Sequence, residues 1–319
     1  DLGYFNTGEM VKEFEEAASE YQWQYMQRWG KGIDVYSLNP TKTNYAKRVW
    51  LQMEYAREGL VFYEGFRDEV LQDIEIKRRL KNKQDFLLSI VLRSEHIPYN
   101  LFWPLMQEGD TPRVRKVVSE ISGMEVSKVN CIKIEFAPGK TKEEKESYLN
   151  DATSFDTYID FYDADNCHCG LGIEVKYTEK EYKIDWNSKQ RSDTIADDGT
   201  PNLSRDYRRV TDLSGYYLPD VDAELVSDEL RQVWRNHILG ASMVIHGDIQ
   251  EFKSITIFPD ANPHFHHIEP KYRKLLTNKG NETFGLLTYE SYFNILEKCF
   301  NDNWGKDWVG YLKERYIIK

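Results

Sequence analysis

Residues 153–179 read TSFDTYIDFYDADNCHCGLGIEVKYTE. Two runs rich in β-branched and aromatic residues, 153–162 and 171–178, flank the turn-forming DADNCHCG, a pattern that predicts a β-hairpin. Within the second run Glu174 and Lys176 fall on one face and Val175 on the other, because side chains alternate along a strand. Asp156 lies on the first run. Once the strands pair, an acid from each can approach one point. Two carboxylates held together repel and need a cation or a proton between them. A hard divalent ion suits such oxygen donors, and Mg²⁺ typically keeps waters while taking one or two carboxylates and a substrate phosphate. Lys176 adds a positive charge that can orient or help deprotonate the attacking water, or stabilise charge on the phosphate oxygens. These are the parts that phosphodiester hydrolysis requires. The plain alternative is an edge strand whose solvent face carries an ordinary cross-strand charge pair.

Outward from the hairpin the period changes. Residues 129–136 (VNCIKIEF) alternate and predict a strand, followed by the charged loop PGKTKEEKES. Before it, residues 84–96 predict an apolar helix that Pro98 ends or kinks, and a second helix follows Thr111-Pro112. Residues 10–29, rich in Glu, Gln, Tyr and Ala, and 45–80, with apolar residues at helical spacing, read as mostly helical. After the hairpin, residues 187–222 are rich in Ser, Asp, Asn, Gly and Arg and read as loop. Residues 222–246 read as one helix with Ser227 as a candidate N-cap. Residues 252–258 (FKSITIF) predict a strand stopped by Pro259, and 288–315 is helical again. The order implies an α/β fold with a central mixed β-sheet flanked by helices, preceded by an N-terminal helical arm. The expected division is a helical region over 1–80 and a main domain over 81–319.

The chain has 319 residues, 40% hydrophobic content and a net charge of −11, which predicts a folded globular protein. No apolar run is long enough for a membrane span and no signal peptide is visible, so the expectation is a cytoplasmic protein. Four cysteines in so long a chain exclude a disulfide scaffold. Cys167-His168-Cys169 invites a zinc reading, to which His264, His266 and His267 contribute only if the fold brings them close; free thiols in a turn are the preferred reading. The acidic balance counts against binding nucleic acid by bulk charge. Local basic patches are 77–83 (Lys77, Arg78, Arg79, Lys81, Lys83), Arg113 with Arg115 and Lys116, and Arg205 with Arg208 and Arg209. Each is either a solvated face or a phosphate contact.

The quoted stretch resembles the core hairpin of the PD-(D/E)XK, restriction-endonuclease-like superfamily, and more narrowly a bacterial branch of it. Ser94-Glu95, Tyr99 to Leu105 (YNLFWPL), Ile134 to Pro138 (IEFAP), Gln232 to His237 (QVWRNH) and Arg315-Tyr316 carry the resemblance further, over roughly 84–316. Carried over residue by residue, it makes Asp156 and Glu174 the metal-holding acids and Lys176 the lysine. Phe155 stands where the family usually has proline, so Asp160, on the same strand face, remains the alternative to the preferred Asp156. The resemblance implies an acid on the first core helix, for which Glu95 fits, and Glu135 is a further candidate. It also places Gln232 and Arg235, neighbours on one helix face, near the centre: Gln232 to orient water or Lys176, Arg235 to clamp a phosphate. The plain readings are a helix-end glutamate and a surface ion pair with Asp228 or Glu229. His237 reads as a core or surface histidine.

The resemblance implies a Mg²⁺-dependent nuclease, with Mn²⁺ as a substitute, in restriction or phage defence; DNA is the preferred substrate, and RNA cleavage by the same chemistry stays open. A homodimer or partner subunit is the expected assembly. The contrasting expectation is a non-catalytic nuclease-fold subunit or protein-binding module, against which the intact acid–acid–lysine trio argues.

Overall fold

In the computed structural model, residues 7–27, 51, 53–79, 88–180 and 183–318 are described. Five strands form one sheet in the order β1-β2-β3-β4-β5: β1 Val126–Phe136, β2 Phe155–Asp163, β3 His168–Val175, β4 Glu251–Phe258 and β5 Phe284–Thr288. The first three pair antiparallel and the last three parallel, so the sheet is mixed, as the order of elements implies. β5 had no counterpart in the sequence reading. Residues 284–288 (FGLLT) are short and do not alternate.

Helices cover both faces. Those before the sheet are α1 Thr7–Gln27, α2 Met53–Arg57, α3 Arg67–Arg79, α4 Ile97–Glu108 and α5 Pro112–Ser122. The short α6 Lys142–Lys145 lies between β1 and β2. After the hairpin come α7 Lys189–Ser192, α8 Arg205–Ser214, α9 Asp222–Leu225 and α10 Arg231–His246. α11 Pro263–Arg273 and α12 Asn278–Glu282 precede β5, and α13 Tyr289–Cys299 and α14 Asn303–Tyr316 close the described chain.

One face of the hairpin and β4 presents Ile159, Phe161, Leu171, Ile173, Val175, Ile255 and Ile257 to a core shared with α1, α4, α5, α13 and α14. That single cluster contains Phe14 and Ala18 as well as Ile173, so the N-terminal helix packs into the same core as the sheet. The opposite face presents Tyr158 and Phe252 to α8, α10 and α11. Helix α10 lies close on β4 because Gly240 faces it: a Cβ there would stand 1.9 Å from Phe252 Cε1, a clash no side chain survives.

Several expected elements differ. In place of the helix expected over 84–96, residues 88–89 and 94–96 form short 3-10 turns on either side of a bridge and turn at 90–92, and Pro98 lies in the first turn of α4 instead of ending a helix, since proline is preorganised for a first turn; residues 84–87 lie outside the described residues. Pro104 sits inside α4 and cannot donate to the Asn100 carbonyl one turn back. The Trp308 indole donates to that oxygen at 2.9 Å instead. The helical pattern expected over 45–80 is broken by turns at 58–66, where Gly59 has φ 71°; residues 28–50, 52 and 80–87, which include Lys81 and Lys83, lie outside the described residues. The segment read as loop over 187–222 holds α7 and α8. In α8, Tyr207, Val210, Thr211 and Ser214 are buried at helical spacing, a stripe that polar composition hid. The single helix expected over 222–246 is two, α9 and α10, and Ser227 does not cap the second: its hydroxyl donates to the Glu224 carbonyl. The charged loop after β1 holds α6, closed by a Thr141–Glu144 capping box.

Candidate active site

Register positions the acids. Thr157 pairs with Ile173 across the β2–β3 ladder, so one step outward Asp156 faces Glu174. The Val175 N–H donates to Asp156 Oδ2 at 2.7 Å. Asp160 instead opposes Gly170, where it accepts from Asn130 Nδ2 at 2.6 Å and contacts His168 Nε2 at 2.9 Å. The tight turn that would have set Asp160 against Glu174 is therefore not the one formed.

Beyond β3, the Lys176 N–H donates to the Ile257 carbonyl at 2.8 Å, holding the chain against β4 so that Lys176 stays on the Glu174 face. Its Nζ lies 2.6 Å from Glu174 Oε1. Gln232 Nε2 donates to the same oxygen at 2.9 Å, and Asn236 Nδ2 donates to Oε2 at 2.7 Å. Gln232 and Asn236 are one helical turn apart on α10, so one helix face grips both carboxylate oxygens. Asn236 escaped the sequence reading; its i+4 spacing from Gln232 was the available signal.

Burial, then the neighbouring Glu174 carboxylate, pushes the Asp156 carboxyl well above the usual carboxylate range, against the Lys176 charge and the Val175 N–H. Burial pulls Lys176 down, but Glu174, Asp156 and Glu179 outweigh it and its pKa is raised. The lysine is a held cation, and the carboxylates around it outnumber it. Such a donor set, oxygens only with negative charge in excess, fits a hard divalent ion. Asp156 and Glu174 are the residues able to hold it. A narrow cleft beside Glu174 and Lys176 is lined also by Gln232, Asn236, Thr256 and His264.

Other expected participants lie elsewhere. Glu95 is exposed in a 3-10 turn, not inward on a helix, and pairs with Arg93 at 3.3 Å. The acid that does couple to the centre is Glu179, which accepts from the Tyr177 N–H at 2.8 Å and the Ser94 N–H at 3.0 Å; it stood last in the quoted stretch without a motif to mark it. Glu135 faces solvent on β1 at φ 56°. Arg235 points away from the trio into a buried network, bonding Asp151 Oδ2 and the Tyr207 hydroxyl, each at 2.9 Å, and Thr153 Oγ1. Its partners are thus neither a free phosphate site nor Asp228 or Glu229.

Among the described side chains four arginines of the expected basic patches are engaged, while the side chains of Lys77, Arg78 and Arg79 lie outside the described residues. Arg208 pairs with Asp222 and Asp212, and Arg209 donates to the Ser147 and Tyr148 carbonyls. Arg113 pairs with Glu108 and Asp302, and Arg115 with Asp110. His237 is a core residue between the Tyr272 and Thr283 hydroxyls. His266 and His267 sit on α11 near Asp260 and Glu229, and His264 lines the cleft, so none joins Cys167 and Cys169 in a ligand cluster among the described residues.

A comparison with known protein families matches residues 22–318 to the PD-(D/E)XK nuclease superfamily. The match begins well before residue 84, where the resemblance read from the sequence started, and includes the end of α1 and all of α2 and α3. No curated protein and no solved structure matches.

Proposed function

This chain belongs to the PD-(D/E)XK nuclease superfamily, and we propose that it is a metal-dependent nuclease, acting on DNA in preference to RNA, with Asp156, Glu174 and Lys176 as its catalytic residues. One observation carries this reading: Asp156 and Glu174 face each other across a single ladder beside a buried lysine. Asp156 and Glu174 would hold Mg²⁺, with Mn²⁺ as a substitute. When bound, the ion supplies polarisation of the phosphate and a lowered pKa for a water ligand. Lys176, kept protonated by its carboxylate neighbours, acts as a donor: it orients the attacking water and steadies negative charge on the phosphate oxygens. Gln232 and Asn236 are positioning residues that fix the Glu174 carboxylate. The fuller form of the proposal is an endonuclease of restriction or phage defence, with a second copy or partner subunit completing a double-strand cut.

The test is incubation of the purified protein with supercoiled plasmid, linear duplex, single-stranded DNA and RNA, each with Mg²⁺, Mn²⁺ or EDTA, alongside Lys176→Ala. Cleavage that needs metal and disappears in the variant is expected, with DNA cut faster than RNA. Cleavage retained by Lys176→Ala overturns the assignment of the lysine. No cleavage of any substrate favours the non-catalytic subunit reading.

A further inference from the structure

The Cys167-His168-Cys169 triplet is not absorbed by the candidate active site, and the hairpin explains how it divides. Alternation sends His168 to the same face as Tyr162, on which its ring stacks at 4.9 Å, and leaves Cys167 and Cys169 on the other. Asp163, the last residue of β2, comes round to that second face. The turn fixes the meeting: the Asp163 N–H donates to the Cys167 carbonyl at 3.1 Å, and the Cys167 and Asp165 N–H groups donate to Asp163 Oδ1 at 2.8 and 3.0 Å. As a result one carboxylate oxygen and both sulfurs lie within 4.8 Å of one another.

We propose that Asp163, Cys167 and Cys169 form a second metal site, at the hairpin tip, which binds one zinc-like divalent ion per chain. Donor atoms of a tetrahedral zinc site stand roughly 3.5–4 Å apart, so small rotamer changes complete the geometry. Two thiolates and one carboxylate select a borderline-soft ion such as Zn²⁺ over Mg²⁺. The field favours a cation, because Asp165 and Glu251 add negative charge around the thiols; Glu251 is the register partner of Cys169 on β4. Cys169 is buried while Cys167 and Asp163 are half-buried, so the fourth position opens to water. Each thiol gives up its proton on binding, releasing two protons per ion. This site is at the opposite end of the hairpin from Asp156 and Glu174 and is independent of the nuclease reading.

The test is Co²⁺ titration of the full chain, stripped with chelator and kept reduced with a non-chelating phosphine. A thiolate-to-cobalt charge-transfer band in the near ultraviolet, saturating at one ion per chain and displaced by Zn²⁺, is expected. Glu174→Gln should keep that band, Cys167→Ser and Cys169→Ser should abolish it, and Asp163→Asn should weaken binding by roughly 10–100-fold. Absence of the band in the wild-type protein with its thiols shown to be reduced overturns the proposal. So does a band that survives both cysteine substitutions, which would assign the sulfur ligand elsewhere.

Discussion

Lys176 Nζ lies 2.6 Å from Glu174 Oε1, with both side chains buried. The pair is gripped from α10 by Gln232 and Asn236. Glu174→Ala leaves the Gln232 and Asn236 amides without their acceptor and deprives Lys176 of its closest counter-charge, so it should weaken the fold as well as the activity. We expect a loss of roughly 2–4 kcal/mol, given the cost of unsatisfied buried donors and broken buried pairs. Urea unfolding reads it, and an unchanged midpoint would show that the carboxylate does not anchor α10.

The two aspartates of β2 should separate cleanly. Asp156→Asn removes a candidate metal ligand and should lower metal-dependent cleavage at least about 100-fold, equivalent to about 2.7 kcal/mol of barrier. Asp160→Asn alters contacts to Asn130 and His168 beside Gly170 and should leave turnover within a few fold. Steady-state rates on one substrate decide the ranking; the reverse order makes Asp160 the first acid.

Divalent metal should stabilise the folded chain through Asp156 and Glu174. At a free concentration of about 100 times Kd, binding adds about 2.7 kcal/mol, visible as a rise in melting temperature with Mg²⁺ or Mn²⁺. That increment should vanish in Asp156→Asn and persist in Asp160→Asn. An equal rise in both variants would place the ion elsewhere.

Arg235 is buried against Asp151, Tyr207 and Thr153, so its contribution is to the fold. Burial raises the Asp151 carboxyl, but Arg235 and the Tyr207 hydroxyl outweigh it and hold the pKa below the usual range. The stability this provides is present above the unfolded value near 3.8 and is lost as pH falls through the lower folded value. Arg235→Ala should destabilise by roughly 3–5 kcal/mol, by denaturant unfolding at neutral pH. If Arg235 contacts phosphate instead, the variant will keep its stability and lose salt-dependent nucleic-acid affinity.

Two buried histidines set a further acid dependence. Burial pulls His96 and His237 to about 3, below the unfolded value near 6.5. Between those limits the unfolded chain binds more protons, so each histidine makes stability fall as pH drops, by about 1.4 kcal/mol per pH unit. Unfolding free energies measured from pH 7 to pH 5 should show His237→Asn with a shallower slope than the wild type. Parallel slopes would mean that His237 is not buried in its neutral form.

The sequence by itself determined whatever depends on local period and on residue type. Alternation defined the hairpin, β1 and β4, and placed Glu174 and Lys176 on a common face, because a strand's side-chain period is fixed by its backbone. Thr111-Pro112 marked the start of α5 for an equally local reason. Tertiary structure decided what depends on who stands opposite. Register made Asp156 and not Asp160 the residue facing Glu174. Packing brought Asn236 onto Glu174 and Glu179 toward Lys176, turned Arg235 inward to Asp151, and left Glu95 at the surface. No local pattern encodes such meetings: they join residues such as Glu174 and Asn236, far apart in the chain, and exist only once the sheet has paired and α10 has docked on it through Gly240.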